Sequence, residues 1–221
     1  MDLVASFYLI VVVPLALAIV TLLYNYKYIG KPLKLLLVLL LVYFAVDLSS
    51  AWIRIYARGT NTIWMGHFLT IIRFTIILYV FKEWLRPGLP RLITDVIIAT
   101  FFIMWLVAKF TIEPIFGFYG YTGSASMVII TIYCLKIAVS PLENRVNLQF
   151  NSEYWILISI LLYTIPALGV NAVQEYLVED LDALKVIYVF KWVTMALSYI
   201  ALGWAGICER VVALDTRRRE R

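Results

Sequence analysis

The sequence predicts an all-α polytopic membrane protein, a bundle of seven transmembrane helices. Three observations carry that reading. Seven apolar stretches fill nearly all of the 221 residues, and each approaches or exceeds the ~20 residues that cross a ~30 Å hydrocarbon core. Hydrophobic residues make up 63% of the chain and charged residues 15%, against roughly 45–50% and about 25% in soluble domains. The basic residues gather in alternate loops and in the C-terminal tail, where membrane topology puts them.

The first span covers residues 3–24. No basic residue precedes it, and Lys27 and Lys31 follow it, so it reads as an uncleaved anchor with an outer N-terminus. The second covers 32–56 and the third 63–85, closed by Pro87-Gly88 and Pro90, a turn signal. The fourth covers 92–108. The fifth covers 124–139 and ends at Pro141, with Lys136 near its inner end, from where its ammonium can snorkel to the headgroups. The sixth covers 154–176 with Pro166 inside, and the seventh 183–208. The organisation is a transmembrane domain over 1–209 and a short basic cytoplasmic tail over 210–221.

Orientation follows from charge. With the N-terminus outside, the inner loops and tail hold thirteen basic residues and the outer loops four, Arg54, Arg58, Lys109 and Lys185. That asymmetry places the C-terminus in the cytoplasm. The net charge of +5 is therefore a topology signal and not a nucleic-acid footprint.

Polar residues inside spans carry the functional information, because a charge at a helix centre costs roughly 2.5–3.5 kcal/mol on insertion scales. In the second span Tyr43, Asp47, Ser50 and Arg54 share one stripe by spacing. In the third, Asn61, Trp64 and His67 lead to Thr70 and Phe74, and Arg73 sits near mid-membrane. The sixth carries Thr164, Asn171 and Glu175, with Gln174 beside them, and the seventh Lys191, Thr194 and Ser198. Arg73 calls for a carboxylate partner, and Asp47 is the nearest by depth. Most of these groups fall in the outer half, which predicts a polar cavity opening outward. The candidate ligand-binding residues are Asp47, Ser50, His67, Arg73, Asn171, Glu175 and Lys191. Each also has a packing role open to it: Asp47 as a helix-to-helix hydrogen bonder, His67 as a core histidine, Glu175 as a wet helix end.

The segment Asn61-Thr-Ile-Trp64-Met-Gly-His67, with a span ending Phe81-Lys82-Glu83-Trp84-Leu85, resembles a pattern in uncharacterised bacterial seven-helix membrane proteins. The resemblance implies the cytoplasmic membrane of a bacterium. It brings no activity with it, and those proteins commonly have a carboxylate near the position of Arg73. The seven-helix, outer-N-terminus topology also resembles that of rhodopsins and G-protein-coupled receptors. A retinal Schiff base at Lys191 would need a carboxylate counter-ion in the third span, which this chain lacks.

Catalytic signatures of the HExxH or GxSxG kind are missing, as are Asp-rich motifs. One histidine and two unpaired cysteines, Cys134 and Cys208, argue against multi-histidine metal chemistry and identify no cofactor. No internal repeat marks a transporter. The leading expectation is a non-enzymatic sensor or binding module that takes a small molecule or lipid and signals through a cytoplasmic protein partner. An accessory subunit of a membrane complex is the alternative, and a transporter or intramembrane enzyme the third. The tail arginines fit that partner or, more simply, anionic headgroups at about 1 kcal/mol per basic residue.

Overall fold

The computed structural model describes residues 8–56, 61–85, 87–117, 120–139, 151–173 and 181–219. Among them are seven α-helices: α1 Val13–Tyr24, entered through one π-helical turn at Tyr8–Val12, α2 Lys31–Tyr56, α3 Ile63–Trp84, α4 Leu89–Thr111, α5 Gly120–Val139, α6 Ser152–Val173 and α7 Leu181–Arg219. Helix is the form that lipid demands, since it satisfies every interior backbone group within one segment. Helices α2 to α7 are six elements long and apolar enough to cross a membrane. The described apolar part of α1, Ile10–Tyr24, is shorter than the ~20 residues a crossing takes.

The chain runs up and down. Helices α1, α2, α3, α5, α6 and α7 follow one another in contact, and α7 returns to α1 to close the ring. Helix α4 packs outside it, on α3 with a lighter contact to α5. Leu15, Leu22, Leu33, Phe74, Leu78 and Phe81 are fully buried between helices. The rings of Phe74 and Phe101 stack at 3.9 Å, fixing α3 against α4. The outward faces are equally apolar: Leu17, Val20, Ile103 and Ile200 are more than half exposed. A surface so apolar needs lipid as its solvent.

Local signals explain the boundaries. Gly88 takes φ 105° ahead of α4, a conformation that favours glycine. Pro90 then sits in the first turn, where its missing N–H costs nothing. Lys136 is exposed in the last turn of α5. Helix α7 does not stop at Cys208 but runs on to Arg219. Glu209-Arg210-Val-Val-Ala-Leu-Asp holds no glycine or proline to end it. Its 39 residues span roughly 58 Å at 1.5 Å per residue, about twice the hydrocarbon thickness. The first ten residues of the tail therefore belong to this helix.

Polar ties hold the end of the bundle where α7 finishes. Lys31 pairs with Glu83 at 2.5 Å and Lys82 with Asp95 at 2.6 Å. Glu209 accepts from the Gly30 backbone N–H and from Ser152 Oγ at 3.1 Å. Arg210 lies 5.0 Å from the Tyr24 ring. Small residues let α1 and α7 approach. A Cβ at Gly203 would sit 3.7 Å from the Ala18 Cα, and one at Gly206 would meet Leu22 Cδ2 at 2.6 Å. The spans show no GxxxG pair, yet two glycines three apart do the same work here.

Gly206→Val should therefore overpack the α1–α7 contact and lower the melting temperature in detergent, at a cost of about 1–3 kcal/mol. Gly169→Ala, whose added Cβ meets nothing within 4 Å, should not lower it. Equal effects would show that the close approach at Gly206 is not a packing constraint.

Candidate functional site

Helix α3 brings its costliest residue to the middle of the bundle. Arg73 is 4% exposed, ten residues from the start of a 22-residue helix. Its Nη1 donates to Tyr163 Oη of α6 at 2.9 Å and its Nη2 to Ser126 Oγ of α5 at 3.0 Å. Ser126 passes its own hydrogen to the Gly123 carbonyl at 2.6 Å. Hydrogen bonds to a charged group contribute about 1.5–3 kcal/mol each. Two of them are enough to offset an insertion cost of roughly 2.5–3.5 kcal/mol. The guanidinium also lies 5.5 Å from the Tyr163 ring centre, a cation–π distance.

Tyr163 is the hub of this region. Its ring lies 6.1 Å from that of Tyr43 on α2, and the two hydroxyls interact. Lys191 of α7 stands within electrostatic range of both Tyr163 and Arg73, and Asp47 of α2 within range of Tyr199 on α7. Toward the other end, Ser159 and Ser198 bond at 3.0 Å. Tyr43, Ser159, Tyr163, Ser198 and Tyr199, with leucine and isoleucine neighbours, line a cavity of about 40 Å³. A water needs only ~10–15 Å³ of such volume, and the serine and tyrosine hydroxyls are the polar groups in a lining that is mostly apolar.

A second network occupies the end of the bundle at which α1 begins. His67, Glu113 and Thr122 are 0%, 1% and 3% exposed, and the Lys109 side chain 5%. Lys109 Nζ lies 2.6 Å from Glu113 Oε2, 2.5 Å from His67 Nδ1 and 3.5 Å from Thr122 Oγ1. Glu113 Oε1 accepts from the backbone N–H groups of Tyr121 at 2.9 Å and Thr122 at 3.3 Å. These are first-turn donors of α5, so the carboxylate caps that helix and meets the positive end of its dipole. Thr122 Oγ1 donates to Glu113 Oε2 at 2.5 Å. His67 Nε2 lies 2.9 Å from the Gly117 carbonyl. Asn61, the first residue of the Asn-x-x-Trp-x-x-His pattern, donates to the Phe116 carbonyl at 2.8 Å. The network ties the segment after α4 down onto the start of α3.

The residues predicted from the sequence thus divide. Lys191 stands within electrostatic range of Arg73 and Tyr163, and half-buried Asp47 within range of Tyr199. The described hydrogen bonds of Arg73 go to neutral hydroxyls. Ser50 donates to Met65 Sδ at 3.3 Å and Asn171 to Met127 Sδ at 4.0 Å, which places both at helix-to-helix contacts. His67 belongs to the terminal network. Glu175, Gln174 and the side chain of Arg54 lie outside the described residues. Sequence reasoning missed Tyr163, Lys109 and Glu113. For the last two the i,i+4 spacing of opposite charges at a helix end was the available signal. Among the described residues no group of three or more His, Cys, Asp and Glu is placed to hold a metal. No family model, curated protein or solved structure matches the chain.

Breaking the Lys109–Glu113 pair from one side strands a buried charge, at about 3–5 kcal/mol. Lys109→Met and Glu113→Gln should each lower the melting temperature by many degrees, and the double variant should recover part of the loss. Strictly additive losses would mean that the two groups do not act as a pair.

Proposed function

We propose that the protein is a non-enzymatic, receptor-type binding module. Its seven helices cross a bacterial cytoplasmic membrane with the N-terminus outside and the C-terminus in the cytoplasm. It takes a small ligand bearing an anionic group between α2, α3, α6 and α7 from the outer side, and passes its state to a cytoplasmic protein partner. One observation carries the reading: Arg73 bonds the Tyr163 hydroxyl at mid-bundle, and Lys191, a second cation from a different helix, stands within electrostatic range of both. Two like charges held close in low dielectric repel each other. An anion between them turns that repulsion into attraction. Intramembrane cations that face a bundle interior are the usual markers of a ligand or ion site.

The orientation rests on the basic residues at the α7 end, Lys31, Lys82, Arg210 and Arg217 among them. Helix α7 supplies the relay. From Lys191 it runs unbroken to Arg219, roughly 42 Å at 1.5 Å per residue. A ligand that pulls on Lys191 therefore tilts or shifts a rigid lever whose far end stands clear of the membrane.

The accessory-subunit reading draws on a different observation. The Lys109–Glu113 network is closed and serves to dock one segment on another. The two readings separate in one experiment. Purified protein is melted at pH 8 with acetate, succinate or inorganic phosphate. For a binding module at least one anion raises the melting temperature of the wild type. Saturation at a hundred times Kd contributes ~2.7 kcal/mol, and each kcal/mol is worth roughly 2–4 °C for a chain of this size. Arg73→Gln and Lys191→Gln should abolish the rise. No rise with any anion, or the same rise in both variants, would hand the assignment to the subunit reading.

A further inference from the structure

We infer that His67, Lys109 and Glu113 form a proton-binding site at the outer end of the bundle, and that protonation of His67 breaks the bridge that Lys109 makes from α4 to α3. The inference deepens the receptor reading by naming acid as a stimulus. It rests on that reading only for which side of the membrane is sensed.

The hydrogen-bond directions impose the chemistry. A carbonyl oxygen can only accept, so the 2.9 Å contact with Gly117 assigns the hydrogen to His67 Nε2. The neutral ring then presents a lone pair at Nδ1, and Lys109 donates into it. The three N–H donors of the ammonium go to His67 Nδ1, Glu113 Oε2 and Thr122 Oγ1, so every one has an acceptor. A second proton on His67 has one place to bind, Nδ1. It arrives from the outer solution, forms an N–H bond there, and removes the acceptor that Lys109 uses. Two cations then face each other with one carboxylate between them. Lys109 has to leave.

Among the described residues, the charged groups that act on the ring are Lys109 and Glu113. Helix α5 offers the neutral hydroxyls of Thr122 and Ser126. On the α2 side the Ser50–Met65 contact brings Asp47 within one turn, and on α3 itself Arg73 lies six residues deeper. Glu113 keeps its cap on α5 through Thr122 and the Tyr121 N–H after Lys109 departs. What is lost is the bridge between α4 and α3. Of the described hydrogen bonds that hold the segment to α3 and its N-terminal approach, Asn61–Phe116 and His67–Gly117 remain. The departure also strips a cation from the Trp105 ring, now 5.4 Å away, which gives the event an optical reporter.

The chain contains one histidine, so labelling histidine with ¹⁵N in a protein purified by a histidine-free tag reports this ring alone. In nanodiscs at pH 8 the spectrum should show the neutral ring with hydrogen on Nε2. Between pH 8 and pH 4 it should convert to imidazolium, and tryptophan emission should shift with the same midpoint. Trp105→Phe should remove the emission shift. His67→Asn should remove it too, because the introduced amide oxygen still accepts from Lys109 but does not titrate. The melting point of that variant at pH 8 checks that it is folded. In proteoliposomes with the two sides buffered separately, acid on the N-terminal side alone should suffice. No conversion down to pH 4, conversion without an emission shift, or a shift that survives in folded His67→Asn would each overturn the proposal. Anion stabilisation at pH 8 involves the site around Arg73, so it fails or survives independently of this result.

Discussion

A charge inside a hydrocarbon slab has to be solvated by the protein itself, and the placement of Arg73 makes that constraint govern the bundle. Its guanidinium draws in Tyr163 from α6 and Ser126 from α5. Tyr163 brings Tyr43 from α2, and Lys191 approaches from α7. Five helices are thus referred to one side chain near mid-depth. Apolar packing alone would not select this arrangement, because lipid tails are as apolar as the helix faces and offer no hydrophobic drive to associate. Polar contacts and close glycine-mediated crossings, such as Gly206 on Leu22, supply the specificity that hydrophobicity lacks here.

The same constraint works differently at the bundle end. Lys109 and Glu113 lie at the edge of a span, where water is near, yet both are nearly inaccessible. They are tolerated because each hydrogen-bonding position is filled, and one of those bonds caps α5. A closed network of this kind is stable in one protonation state and strained in another, which is the property a switch needs. The mid-bundle group is looser in kind: it combines two cations, a carboxylate within electrostatic range of Tyr199 and a small, mostly apolar cavity.

Much of the architecture was legible because insertion cost is written in residue type. Apolar runs gave the helices, and Pro87-Gly88 gave the break before α4, with the end of α3 placed within one residue and the start of α4 three residues late. Arg73, His67 and Lys191 stood out because a polar group in such a run is conspicuous. Their partners did not. Tyr163 and Ser126 cost little in a membrane helix and carry no warning of a role. Lys109 and Glu113 sit where charges are cheap and so read as loop residues. The length of α7 was missed because apolarity ends at Cys208 while helix propensity does not. Sequence marks what is expensive, whereas a site also needs cheap residues that geometry alone brings near.

The direct test is an experimental density map of the protein in lipid nanodiscs, at a resolution that shows side chains. The expected result is Arg73 on Tyr163 and Ser126, with non-protein density between Arg73 and Lys191. Apolar side chains filling that space, with Lys191 turned outward to the membrane surface, would contradict it and leave the polar core as a device for packing helices.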